Sequence, residues 1–222
     1  MRVLALMAAG FAALASPAYA DRTVTSANAA YPSQQTITPF GTLPGASPTY
    51  AQVFASPMSG QLTSFSFTLT GGVGQIFAGI GTWNGAFNYT SGGGSPTTLW
   101  ESSYVPSGAG TITFTPNVRV LDLTKYVAYI SVYRSPDATG DTGLVLGNNS
   151  SPALRYFTFD NGAGSPSGNG AWTNYDLDVG DALFSFTVTN VPEPAEWALM
   201  IAGYGLAGVV ARRRKSGLAL AA

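Results

Sequence analysis

The 222-residue chain has no cysteine and no histidine, and charged side chains make up only 9% of it. Each absence excludes chemistry. Without histidine there is no Ser-His-Asp triad, no imidazole zinc ligand and no imidazole general base. Without cysteine there is no thiolate and no disulfide, so a folded domain of this chain must rest on its apolar core without covalent cross-links. What remains is carboxylate, tyrosine or lysine chemistry, or a hard cation held by oxygen atoms. Basic residues are also scarce where a polyanion would need them. Residues 21–190 carry five basic side chains (Arg22, Arg119, Lys125, Arg134, Arg155) against nine acidic ones (Asp21, Glu101, Asp122, Asp137, Asp141, Asp160, Asp176, Asp178, Asp181), a net charge of −4 that the whole-chain value of −1 hides. No nucleic acid and no anionic lipid is expected as a partner of that segment. Long apolar runs are missing too, except at the two ends.

At the front, Arg2 precedes an apolar run from Val3 to Leu14, and Ala18-Tyr19-Ala20 is a small-x-small site before Asp21. This order reads as a secretory signal peptide over residues 1–20. It implies signal peptidase and the general secretion machinery as partners, and a segment 21–190 that is exported and long enough to form one domain with its own core.

The other end begins Val191-Pro192-Glu193-Pro194-Ala195-Glu196-Trp197. Two prolines remove backbone donors and fix φ, so this stretch is expected to be extended and unable to continue a sheet. An apolar run from Trp197 to Ala211 follows, then Arg212-Arg213-Arg214-Lys215. As a helix at ~1.5 Å per residue the run spans about 22 Å, short for a hydrocarbon layer of roughly 30 Å. Trp197 sits where an interfacial aromatic belongs, and the cations would stay on the cytoplasmic side. Gly203, Gly205 and Gly208 weaken the helix. The expectation is a marginal transmembrane helix over 197–211. A buried helix of a globular domain is the competing reading; it fits poorly with four adjoining cations and no amphipathic stripe.

Pro192-Glu193-Pro194-x-x-Trp197-Ala198, the stretch Met200-Ile201-Ala202-Gly203-Tyr204-Gly205-Leu206-Ala207-Gly208 and the cluster Arg212-Arg213-Arg214 together resemble the PEP-CTERM sorting signal in its PEPxxWA variant, typical of some Gram-negative bacteria. The resemblance covers residues 191–215. It implies recognition and cleavage by an exosortase, a membrane-embedded cysteine protease, with delivery to the cell surface or beyond. Pro192, Glu193 and Pro194 would be the recognition residues, with Trp197, Arg212, Arg213 and Arg214 completing the signal. The tail Ser216–Ala222 continues past the basic cluster, where members of that family usually stop sooner.

Between the ends, short β-type runs alternate with turn residues. Strands are expected near Gln35–Phe40, Ala51–Phe54, Gln61–Thr70, Gln75–Thr82, Thr98–Tyr104, Gly110–Thr115, Tyr126–Arg134, Leu154–Asp160 and Leu183–Asn190. Period-two alternation puts Phe65, Phe67 and Leu69 on one face, Ile130 and Val132 on one face, and Phe184 and Phe186 on one face. Breakers such as Gly71-Gly72, Ser107-Gly108 and Asn161-Gly162 fall between runs. The fold class expected is all-β, an antiparallel two-sheet sandwich of jelly-roll kind. Asp21 to Ser33 reads as a loose arm, and Ser91–Pro96 and Gly162–Gly170 read as loops. The cadence of Ser64-Phe65-Ser66-Phe67, Leu99-Trp100-Glu101-Ser102 and Tyr126 to Ser131 resembles that of exported PEP-CTERM proteins and implies no activity.

Three chemistries can be weighed in the body. Trp83, Trp100 and Trp172 with Tyr89, Tyr104 and Tyr175 invite carbohydrate binding, since sugars stack their C–H faces on aromatic rings. Trp83, Trp172 and Tyr175 border loops and are the better candidates; the plainer reading is core packing. Asp176, Asp178 and Asp181 could hold calcium, but the spacing is not that of an EF-hand, and a solvated turn is the simpler reading, so no metal is assigned. Glu101 is the sole glutamate of segment 21–190, and no particular aspartate presents itself as its partner for glycoside hydrolysis. The sequence therefore reads as an exported, non-catalytic surface or matrix protein without cofactors, with exopolysaccharide as a possible partner. A carbohydrate-binding module is the alternative and a carboxylate hydrolase the remote one.

Overall fold

A computed structural model describes residues 21–26, 40–44, 46–84, 96–147, 181–190 and 201–206, together with the backbone of 154–159 and 172–173. The chain divides into two compact units, Asp21–Asn190 and the two ends, Met1–Ala20 with Val191–Ala222. Of the ends, only 201–206 is described. It is helical and largely exposed, and among the described residues no helix is long and apolar enough to cross a membrane. The signal peptide 1–20, most of the expected helix 197–211, the tail 216–222 and the residues Pro192, Glu193, Pro194, Trp197, Arg212, Arg213 and Arg214 lie outside the described residues.

The larger unit is built from antiparallel strands: β1 (Arg22–Thr25), β2 (Phe40–Gly41), β3 (Thr49–Ala55), β4 (Gly60–Leu69), β5 (Gln75–Thr82), β6 (Thr97–Glu101), β7 (Val105–Pro106), β8 (Gly110–Phe114), β9 (Val118–Val120), β10 (Lys125–Ser131), β11 (Asp141–Thr142), β12 (Leu154–Phe159), β13 (Trp172–Thr173) and β14 (Phe184–Thr189). One sheet has the order β1-β14-β4-β8, with β9 also on β4. The larger sheet has the order β13-β12-β3-β10-β5-β6, with β7 on β5, and β2 pairs with β11. The inner faces of the two larger sheets share one core. Phe65, Phe67, Leu69, Phe184 and Phe186 of the first sheet are buried with Tyr50, Phe54, Ile76, Ile80, Tyr126 and Ile130 of the second. The ring of Phe54 lies 4.4 Å from that of Phe186 and 5.7 Å from that of Phe184, centroid to centroid. Phe65, Phe67, Leu69, Ile130, Val132, Phe184 and Phe186, the residues the alternation places inward, are all in this core.

β4 departs from strict alternation at one point. Thr187 pairs with Ser64, but Val188 pairs with Leu62, which leaves Thr63 as an extra residue. This bulge lets both Leu62 and Phe65 point inward although they differ in parity. It falls where the neighbour on the far side of β4 changes. Phe65–Leu69 pairs with β8, whereas Gly60–Leu62 pairs with β9.

The expected loose arm is a correction. Residues 22–25 form an edge strand on β14, with Arg22 opposite Val188 and Thr25 opposite Ser185. Thr-Val-Thr has the period-two pattern of a half-buried strand: Val24 packs on the core, while the hydroxyl of Thr23 meets that of Thr187 at 2.9 Å. Ser26 then fastens the strand. Its buried hydroxyl donates to the Ala182 carbonyl at 2.6 Å and accepts the Phe184 N–H at 2.8 Å.

Two expected strands are shorter in the structure. The run expected over Thr98–Tyr104 ends at Glu101 with β6, before β7 begins at Val105, and β10 ends at Ser131 rather than Arg134. Beyond it Arg134 has φ of 53°, which no strand residue can adopt.

Candidate functional site

The large sheet is buried on its outer face as well as its inner one. Ala51, Val53, Phe77, Trp83, Val127 and Tyr129 form a second buried cluster there, with Tyr133 packed against it. β3, β5 and β10 supply it because both parities of these strands are apolar, the pattern of strands covered on two sides. Trp83 belongs to this cluster and is only 6% exposed. Its faces are occupied by packing, so it offers no platform for a sugar. Trp172 lies in β13, and Tyr175 lies outside the described residues.

Glycine shapes the middle of this face. Gly79 stands between Tyr129 on β10 and Glu101 on β6, paired with both. A Cβ built on Gly79 would overlap the Cζ and hydroxyl of Tyr129 and lie 2.7 Å from its Cε1. The missing side chain is therefore what lets the tyrosine ring lie across β5. The Tyr129 hydroxyl reaches the next strand and donates to Glu101 Oε1 at 2.5 Å. Burial pushes the Tyr129 pKa upward, and the hydrogen bond and negative charge of Glu101 push it further. Tyr129 is thus held as a neutral donor. It is neither a base nor a nucleophile, and Glu101 is an anchored acceptor.

Toward the end of the sheet, the cluster opens to solvent. The Tyr104 ring packs edge-on against Phe77, centroids 5.4 Å apart and planes at 77°, and Phe77 in turn meets Tyr129 at 6.3 Å. The Tyr104 hydroxyl donates to the Tyr133 carbonyl at 3.0 Å. Arg134 places its guanidinium carbon 5.0 Å from the centroid of the Tyr133 ring, a cation–π contact. Tyr104 is 38% exposed, and Glu101 and Arg134 are exposed. The aromatic residues sequence reasoning favours here and those the structure presents are different. Trp83 is covered, and Tyr104 is the open ring. The readable signal for Tyr104 is its place just past the end of a strand, three residues after Glu101.

The remaining acidic candidate is also reassigned. Asp181 does not lie in a solvated turn; it is 1% exposed. Gln52 Nε2 donates to Asp181 Oδ1 at 3.3 Å, while Gln52 Oε1 accepts the Ala182 N–H at 3.0 Å. One buried amide thus ties β3 to the entry of β14, satisfying polar groups that are costly to leave unpaired. Among the described residues there is no group of three or more His, Cys, Asp or Glu placed to hold a metal; Asp176 and Asp178 lie outside those residues.

No protein-family model matches the chain, and no curated protein is similar to it in sequence. Among solved structures it is similar to a Clostridium difficile protein titled "The crystal structure of the cysteine protease and lectin-like domains of Cwp84, a surface layer associated protein of Clostridium difficile", with 14% identity and a TM-score of 0.38 over 64% of this chain. The match spans 33% of that chain's length. A likeness of this size carries no argument about fold or activity.

Proposed function

We propose that the protein is an exported β-sandwich delivered to the cell surface or extracellular matrix of a Gram-negative bacterium, sorted and processed through its C-terminal signal, and without catalytic activity. The observation that carries this reading is the ordered tail. Pro192-Glu193-Pro194, Trp197, the glycine-rich apolar run and Arg212-Arg213-Arg214 follow one another at the spacing of a PEP-CTERM signal. The placement of the folded body supports it. β1 starts at Arg22, one residue after the expected signal-peptidase site, and β14 ends at Thr189, just before the Pro-Glu-Pro triplet. Nothing folded need be cut by either enzyme. The partners under this reading are signal peptidase and the secretion machinery, an exosortase, the inner membrane through 197–211 before cleavage, and exopolysaccharide at the destination. We read the sandwich as one of jelly-roll kind. Most of its paired strands, such as β1 with β14 and β3 with β10, are distant in sequence.

The test is intact mass of the protein recovered from membranes and from medium, for wild type and Glu193→Ala. Wild type should lose residues 1–20 and a C-terminal segment that begins near the Pro-Glu-Pro triplet. Glu193→Ala should lose residues 1–20 alone and accumulate in the inner membrane, with the body folded. Replacing Arg212, Arg213 and Arg214 together by Ala should instead remove the stop signal, so that unprocessed precursor leaves the membrane. Release of Glu193→Ala at the wild-type rate would refute the sorting reading and leave the tail as a plain anchor.

A further inference from the structure

The open end of the outer-face cluster has properties that the core around it does not need. Tyr104 keeps more than a third of its surface in water, yet it is fixed at both ends, by Phe77 against its ring and by the Tyr133 carbonyl on its hydroxyl. A ring held this way has lost its conformational freedom before any ligand arrives, which is the condition for a preorganised platform. Glu101 stands on the same face. It is opposite Gly79 on β5, and Tyr104 packs on Phe77, two residues along the same strand. That separation is roughly 7 Å at ~3.3 Å per residue, a distance one sugar ring can bridge. The hydroxyl of Tyr129 fixes one Glu101 oxygen. Arg134 is exposed and follows Tyr133, whose carbonyl anchors Tyr104; it has a left-handed φ of 53° and holds its guanidinium over the Tyr133 ring. That backbone conformation costs free energy in a residue with a side chain, and such strain gathers at binding sites.

We propose that Tyr104, Glu101 and Arg134 form a binding site for a neutral, hydroxyl-rich saccharide. The chemistry selects this class. The free face of Tyr104 takes apolar C–H groups. Glu101 can only accept hydrogen bonds and Arg134 can only donate them, so the ligand must do both within a small span. One carboxylate and one guanidinium cancel, and the −4 charge of segment 21–190 repels a polyanion. A sugar ring presents C–H on its faces and hydroxyls around its rim, and meets all three demands at once. The inference deepens the surface-protein reading by naming a partner class. It stands on the body alone, so its failure and that of the sorting reading show in different experiments.

The test is calorimetric titration of the full-length protein, held in mild detergent, with the β-1,4-glucose, β-1,3-glucose and β-1,4-mannose pentasaccharides, and with pentagalacturonate as the acidic counterpart. Saturable binding of at least one neutral pentasaccharide is expected. Tyr104→Ala should weaken it by about tenfold or more, the loss expected for removing one aromatic platform. Glu101→Gln, which keeps an acceptor for Tyr129, should weaken it measurably. Tyr104→Phe keeps the ring and should stay within about threefold of wild type. If near-UV circular dichroism shows that Tyr104→Ala has lost its fold, Glu101→Gln and Arg134→Gln decide the matter. The proposal is overturned if no neutral pentasaccharide binds, if pentagalacturonate binds tightest, or if binding is unchanged in folded Tyr104→Ala or, where that variant does not fold, in Glu101→Gln and Arg134→Gln.

Discussion

Adding one methyl group at Gly79 should destabilise this protein nearly as much as deleting a whole ring from its core. In Gly79→Ala the new Cβ would occupy the space of the Tyr129 ring. The ring cannot swing away cheaply, because Tyr129 is fully buried and its hydroxyl is held by Glu101. Two costs then arise. Overpacking a closed site typically costs about 1–3 kcal/mol, and losing the part-buried hydrogen bond to a charged group costs up to roughly 1.5–3 kcal/mol. The two overlap, since a displaced ring already has a broken bond, so about 2–5 kcal/mol is expected. For a domain of this size that lowers the melting temperature by roughly 4–20 °C. The assay is equilibrium denaturation followed by tryptophan fluorescence, with the Tyr129→Ala background as control. There the methyl group has room, so Gly79→Ala should cost less than about 1 kcal/mol. If Gly79→Ala in the wild-type background stays within about 0.5 kcal/mol, the range of an ordinary surface substitution, Tyr129 does not lie across β5 as described.

Phe186→Ala removes a ring that is 1% exposed and packed on Phe54 and Phe184; it should cost roughly 3–5 kcal/mol in the same assay, and wild-type stability would place β14 outside the core. The raised pKa of Tyr129 gives a second expectation. The fold favours the protonated hydroxyl, so this contribution is complete below the unfolded value of about 10 and declines as pH rises above it. Wild type should therefore lose stability more steeply than Tyr129→Phe between about pH 9.5 and 11; parallel loss in the two proteins would mean that the hydroxyl is not buried against Glu101.

What could be read from the sequence depended on how many physical constraints one residue had to meet. β14 was legible because Phe184, Phe186 and Val188 are apolar while Ser185, Thr187 and Thr189 are not, and burial follows that alternation. β4 was legible in its second half, but its bulge was not. A shift of parity at Thr63 depends on which neighbour lies across the strand, which no local pattern contains. β1 was missed although Thr-Val-Thr alternates, because a four-residue edge strand is short and its partner lies at the far end of the segment. Trp83 was misjudged for a related reason. Its neighbours Asn84 and Gly85 signal a loop, while its burial comes from the second covered face of a sheet. The signal for that face was present in β10, where Val127 and Tyr129 on one side are as apolar as Ala128 and Ile130 on the other. The Tyr129–Glu101 bond rests on Gly79 standing between two strands, a relation only the register supplies.

The pairing of β1 with β14 makes the body of residues 21–190 nearly circular. Arg22 lies opposite Val188, so the first and last strands bring the two ends of the fold within about 5 Å of each other. A short glycine-serine bridge could join Asn190 to Asp21 without disturbing either sheet. The ring could then be opened at Gly108, in the exposed turn between β7 and β8, where an added side chain meets nothing within 4 Å. Such a permuted chain would carry the same sandwich with its ends moved away from β1 and β14. The first and last strands of the body, by contrast, lie side by side as neighbours in one sheet.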